Sequence, residues 1–198
     1  MNLPNKLTVA RCILSPIFLL TMVLDFPFHY GVALLLFILS SLTDMFDGRI
    51  ARSRNLITNL GKFLDPLADK VLTTAAFVGF LILPEMTASP WMKQSLCWAL
   101  MLTMAREFMV TSARYMAAKD GVVIAASMAG KLKTVMQMVA IIYTLAALQA
   151  IQWLEPLVPG SGFWLTVAAH ILIWVAVVLT VISGLQYVWG CKQYFTEK

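Results

Sequence analysis

Asp44-Met45-Phe46-Asp47-Gly48-Arg49-Ile50-Ala51-Arg52 and, eight residues later, Gly61-Lys62-Phe63-Leu64-Asp65-Pro66-Leu67-Ala68-Asp69 decide how this chain is read. Four aspartates stand at the water-facing ends of two strongly apolar segments, a setting in which carboxylates are rare and functional. On a helix, Asp44, Asp47, Gly48 and Ala51 fall within about 100° of one another, so two acids and two small residues share a face. Asp65 and Asp69 are one turn apart, with Gly61 one turn before them. Two such faces, apposed, make a four-carboxylate cluster open to a bulky anion. A single Asp at a membrane edge reads as a cap or a solvated charge; four at this spacing do not.

The rest of the chain supplies the setting. Of 198 residues, 60% are hydrophobic and 13% charged, the composition of a polytopic membrane protein rather than of a soluble domain. Apolar stretches long enough to cross a bilayer run over 7–28, 31–52, 64–84, 92–118, 129–150 and 163–190. The expectation is an all-α, integral membrane fold of six transmembrane helices in a single domain, 1–198. Pro27, Pro84, Pro90, Pro156 and Pro159 fall in the short connections. Arg11 interrupts the first apolar stretch, so the N-terminus reads as a span and not as a cleavable signal, with residues 3–8 as a short interfacial turn before it.

Fourteen of the fifteen basic residues fall on one side of that topology and only Lys93 on the other. By the positive-inside rule, both termini and the aspartates face the cytoplasm. The net charge of +5 is spread along a membrane edge without aromatic interleaving, which suits anionic lipid headgroups and excludes a nucleic-acid partner. Cys12, Cys97 and Cys191 have no metal-ligand spacing and read as apolar fillers. Trp91, Trp153, Trp164 and Trp189 lie near span ends, as an aromatic belt requires.

Oxygen ligands without a companion His or Cys suit Mg²⁺ or Mn²⁺, and a divalent pair is suited to phosphate esters. An ion-coupled transporter also places acids in membrane helices, but near the midplane and on broken or repeated helices; here the acids lie near one edge and no internal repeat is visible. The spacing D-x2-D-G-x2-A-R-x8-G-x3-D-x3-D fixes eight residues across 26 positions. It resembles, position for position, the signature of the CDP-alcohol phosphatidyltransferase family.

That resemblance implies transfer of a phosphatidyl group from a CDP-linked lipid to an alcohol, with release of CMP. Asp44, Asp47 and Asp65 would hold two divalent cations, and Asp69 would be the general base on the acceptor hydroxyl while touching the second metal. Gly48, Ala51 and Gly61 would leave room for the CDP-lipid, and Arg52 would fork onto a phosphate oxygen. Pro66 disfavours the α conformation at Asp65, so Asp65 could begin the third span as a cap.

Outside the signature, Pro4-Asn5-Lys6-Leu7-Thr8-Val9-Ala10-Arg11, Arg106-Glu107 with Arg114, and Gly130-Lys131-Leu132-Lys133-Thr134 look like the bacterial branch whose acceptor is sn-glycerol 3-phosphate. Arg106 lies deep in the fourth span and needs a partner; Glu107 points about 100° away, so a bound phosphate is the alternative. Arg106, Arg114, Lys131 and Lys133 are therefore the expected acceptor-phosphate residues. CDP-diacylglycerol and sn-glycerol 3-phosphate are the implied substrates, membrane lipids the surroundings, a homodimer the assembly and the bacterial inner membrane the location. Cardiolipin formation or transfer to an inositol phosphate are the alternatives within the family.

The orientation is testable in intact cells. In a background lacking the three native cysteines, Leu56→Cys should be protected from a membrane-impermeant thiol reagent added outside, and Ala88→Cys should react. The reverse pattern would invert the topology.

Overall fold

The computed structural model describes residues 3–53, 59–119 and 128–190, with side chains described throughout except at 3–4, 45–53, 59–63, 65–66, 69, 118–119 and 190. Among these residues the fold is all-helical, with α1 (Leu3–Val23), α2 (His29–Ser53), α3 (Asn59–Ile82), α4 (Pro90–Lys119), α5 (Met128–Leu154) and α6 (Ser161–Gly190). A short 3-10 turn, Pro84–Met86, links α3 to α4. Short connections join α1 to α2, α3 to α4 and α5 to α6.

The helices close into a ring. The principal packing pairs are α1 with α2, α2 with α5, α5 with α6, α6 with α4, α4 with α3, and α3 with α1. A single buried cluster is shared by all six, including Phe18 and Met22 of α1, Phe37 of α2, Phe77 and Phe80 of α3, Leu96 of α4, Ile141 and Leu145 of α5 and Ile173 of α6. Gly79 lets α1 and α3 approach, since a Cβ there would lie 2.5 Å from Met22 Cε.

The outer surface is apolar and much of the polarity is inside. Leu20, Leu35, Ile171 and Leu185 point outward, while Asn5, Thr8, Arg11, Ser15, Arg106, Lys133 and His170 are buried. A water-soluble bundle would carry the opposite distribution; hydrocarbon outside makes this one favourable. Among the described residues three helical segments are long and apolar enough to cross a membrane: Asn5–Val23, Met128–Leu154 and Ser161–Trp189, with mean hydropathies of 1.6, 1.7 and 2.5. α4, at 30 residues, is also long enough (about 45 Å), but Arg106 and Glu107 lower its hydropathy.

Three expectations are corrected. α1 is continuous from Leu3, so residues 3–8 are part of the long helix and not a separate turn. α1 also stops at Val23, before Phe26-Pro27, where the residue before proline is turned away from the α region. α3 begins at Asn59, so Asp65 is inside the helix and is not its cap. Pro66 falls within α3, where its fixed φ suits the helix although it removes one backbone donor and disfavours the interior of a helix.

At the end of the bundle away from the aspartates, a chain of amides ties α2 to α5. Gln149 Oε1 accepts from the Gly31 N–H at 2.7 Å, an otherwise orphan donor in the first turn of α2. Gln149 Nε2 donates to Gln152 Oε1 at 2.9 Å, and Gln152 Nε2 lies 2.8 Å from His29 Nε2. Beyond α5, the Glu155 carboxylate accepts from the Gly160 and Gly162 N–H groups at 2.8 and 2.6 Å. Those backbone donors at the start of α6 hold its carboxyl below the usual carboxylate range.

Gln149→Leu should leave the Gly31 donor unsatisfied and destabilise the protein by about 1–3 kcal/mol, read as a lower thermal unfolding temperature in detergent. An unchanged transition would mean that this amide chain carries no stability.

Candidate active site

Charge gathers at one end of the ring, from the N-terminal halves of α1, α3 and α5 and the C-terminal halves of α2, α4 and α6. The apolar surroundings force these charges to pair. Arg11 on α1 is 1% exposed and forms an ion pair with Asp44 on α2. The sequence placed Arg11 at the bilayer edge; the fold turns it inward, onto the first aspartate of the signature. Its burial in hydrocarbon-like surroundings makes a partner obligatory, and Asp44, half-exposed, supplies one.

Asp47, Gly48, Ala51 and Arg52 continue α2, and Gly61, Asp65 and Asp69 belong to α3; their side chains lie outside the described ones. The helical backbone keeps the i, i+3 and i, i+4 spacing that stacks each aspartate pair on one face. α1 packs against both α2 and α3, which makes it the common support of the two aspartate-bearing helices. Among the described residues no three acidic, His or Cys side chains form a cluster. The donor set itself fits a hard divalent cation: the Asp44 side chain is half-exposed although its Oδ1 is paired with Arg11, and the other three candidates are carboxylates without softer ligands.

Beside the aspartates, α3, α4 and α5 enclose a cavity of about 500 Å³. Arg106, Arg114, Lys131 and Lys133 all line it, together with Lys70, Glu107 and Thr111. Five cations thus surround one carboxylate. Glu107 pairs with Lys133 and with Arg106, at 3.1 Å, so the adjacent-residue bridge that helical geometry left open does form. Arg106 also donates from Nη2 to Ser183 Oγ on α6 at 2.7 Å, while its Nε is buried without a partner. Arg114 and Lys131 are exposed; the Arg114 guanidinium lies 5.5 Å from the Tyr187 ring centroid.

Sequence reasoning missed four contributors. Lys70 was read as a topological charge, yet it bonds Thr111 and reaches the Glu107 carbonyl at 3.4 Å; its place directly after Asp69, at the end of the signature, was the available signal. Ser183 and Gly184 form the seat for Arg106, and a Cβ on Gly184 would come within 2.8 Å of Arg106 Cγ. Nothing distinguishes these two from ordinary small residues of an apolar helix. Arg11 could have been recognised, because the rule that a buried arginine needs a partner applies to it as to Arg106.

The chemistry available is anion binding near carboxylates of a kind suited to a hard cation, at one end of an apolar bundle. Comparison with known proteins gives the same class. The sequence profile of the CDP-alcohol phosphatidyltransferase family matches residues 1–182. Among curated relatives, the CDP-diacylglycerol–glycerol-3-phosphate 3-phosphatidyltransferase of Bacillus subtilis is 40% identical, covering 94% of this chain and 93% of its own. Proteins of the same name from Rickettsia bellii and Salmonella paratyphi A are 37% and 38% identical, over 98% and 94% of this chain and 97% and 92% of theirs.

Ser183→Ala removes a hydrogen bond to a buried guanidinium and should cost about 1.5–3 kcal/mol. Gly184→Val should cost more, since its side chain collides with the middle of Arg106. Thermal unfolding of both variants in detergent checks the order; equal stability would show that Arg106 is not seated on α6.

Proposed function

The chain belongs to the CDP-alcohol phosphatidyltransferase family, and on that premise we propose that it transfers the phosphatidyl group of CDP-diacylglycerol to sn-glycerol 3-phosphate, giving phosphatidylglycerophosphate and CMP. The observation that carries the choice of acceptor is the convergence of Arg106, Arg114, Lys131, Lys133 and Lys70 on one cavity. A neutral alcohol has no use for so many cations, whereas a phosphomonoester does. The names of the relatives point the same way.

In this reading the acceptor phosphate sits among those cations and its free hydroxyl points toward α3. Asp69 takes the hydroxyl proton. The hydroxyl oxygen forms a new bond to the phosphorus that bears diacylglycerol, and the bond from that phosphorus to the bridging oxygen breaks, its electron pair leaving with CMP. Arg52 holds a pyrophosphate oxygen, and Gly48, Ala51 and Gly61 leave space for the nucleotide. Asp44, Asp47, Asp65 and Asp69 would hold two divalent cations, Mg²⁺ or Mn²⁺, which supply charge neutralisation at the pyrophosphate. Arg11, through its ion pair, holds the Asp44 carboxylate in place.

The whole chain, 1–198, acts as one domain in the bacterial inner membrane. All six helices cross the bilayer, with both termini and the aspartates on the cytoplasmic side. The one-sided lysines and arginines support that orientation. The alternation of short connections supports the six crossings. Assembly as a homodimer belongs to the same proposal and rests on the family resemblance alone.

CMP release from purified protein, with CDP-diacylglycerol and a panel of acceptors, tests the reading. Glycerol 3-phosphate should be used and free glycerol should be a very poor acceptor. Arg106→Gln should raise the acceptor KM roughly tenfold to a hundredfold with little change for CDP-diacylglycerol. Asp69→Asn should abolish turnover while nucleotide binding persists. Preference for phosphatidylglycerol, or equal use of glycerol, would leave the family membership and remove the acceptor.

A further inference from the structure

The cations of the basic cavity can donate hydrogen bonds but cannot accept them. Lys70, Arg106, Arg114, Lys131 and Lys133 carry only N–H groups in their charged forms, which suits the phosphate of the proposed acceptor. sn-Glycerol 3-phosphate brings two hydroxyls as well. One attacks phosphorus, and the secondary hydroxyl on the middle carbon is left over. Away from water that group needs an acceptor, because a desolvated hydroxyl without a partner weakens binding.

Most oxygens in this wall are already engaged. The Glu107 carbonyl accepts from Lys70 Nζ at 3.4 Å, and the Gly130 carbonyl accepts from the Thr134 hydroxyl at 3.1 Å. The Thr111 hydroxyl accepts from Lys70. There remains the side chain of Glu107, the one carboxylate among the described residues that line the cavity. Its hydrogen bonds from Arg106, at 3.1 Å, and from Lys133 both fall on Oε1. Oε2 enters neither, and it is not among the buried atoms that lack a partner. The side chain is 13% exposed, so its second oxygen is open to a ligand.

A carboxylate in a phosphate pocket repels the ligand's charge, so its presence asks for a reason. Pairing with Arg106 and Lys133 is one, but it occupies a single oxygen and leaves the other held in place between α4 and α5. We propose that Glu107 determines acceptor specificity, its Oε2 accepting the hydrogen bond of the acceptor's secondary hydroxyl. The inference rests on glycerol 3-phosphate being the acceptor. With the phosphate among the cations and the reacting hydroxyl toward Asp69 on α3, Glu107 supplies a third point of attachment. Three points are what a site needs to tell one enantiomer of glycerol phosphate from the other.

The test compares acceptors by CMP release from the full-length protein. Propane-1,3-diol monophosphate keeps the phosphate and the reacting hydroxyl and lacks only the middle one. Its kcat/KM should lie roughly tenfold or more below that of glycerol 3-phosphate. Glu107→Ala should bring that ratio close to one. Glu107→Gln, which keeps the shape but exchanges a charge-assisted acceptor for a neutral amide, should shrink it about fivefold. Discrimination against sn-glycerol 1-phosphate should weaken in the same variants. A Glu107 that served only as counter-ion would lower both acceptors together and leave the ratio intact, which would overturn the proposal. Equal use of the two acceptors by the unmodified protein would overturn it while leaving glycerol 3-phosphate as the acceptor. No use of glycerol 3-phosphate at all would remove the acceptor reading, and this assignment with it.

Discussion

A guanidinium in an apolar bundle cannot stand alone, and the site end of this protein is organised by that constraint. Among the described residues two arginines are buried, Arg11 and Arg106. Each selects the helices that must meet around it: Arg11 joins α1 to α2 through Asp44, and Arg106 joins α4 to α6 through Ser183. Glu107 extends the second network to α5 through Lys133. Removing one member of such a network strands a charge in a low-dielectric interior, which costs several kcal/mol. Pairing therefore governs the register of these helices as much as apolar packing does.

The same networks create function, because they are incomplete. Glu107 is one carboxylate among five cations, and the buried Nε of Arg106 has no partner. A dianionic phosphate entering the cavity would replace water around exposed Arg114 and Lys131 and add a second counter-ion to the buried members. On the other side of α1, Asp44 is held by Arg11 yet half-exposed, so it remains available to a cation. The closed ring puts both features at one bundle end: α1 carries the aspartate helices, and α4 and α5 carry the basic cavity. The proposed transfer from a CDP-lipid to a phosphorylated alcohol needs this adjacency.

The opposite end obeys a different rule. There the problem is unsatisfied backbone, and amide side chains or a loop carboxylate solve it, as Gln149 does for Gly31 and Glu155 for the start of α6. His170 departs from this pattern of satisfied groups. Its Nε2 is buried without a hydrogen-bond partner among the described residues.

Composition and spacing in the sequence determined the all-helical class, the apolar segments, the family and the candidate residues, because these depend on local periodicity and on the rarity of charge in hydrocarbon. Helix limits were less legible: α3 runs through Pro66, although proline removes one backbone donor and disfavours the interior of a helix. Only the tertiary structure decided that Arg11 turns inward to Asp44, that Glu107 bridges Arg106 and Lys133, and that Lys70, Ser183 and Gly184 complete the surroundings of Arg106. Those facts depend on which helices close the ring. Residues as distant as Arg106 and Ser183 carry no local mark of one another, and packing of α4 against α6 is what makes them neighbours.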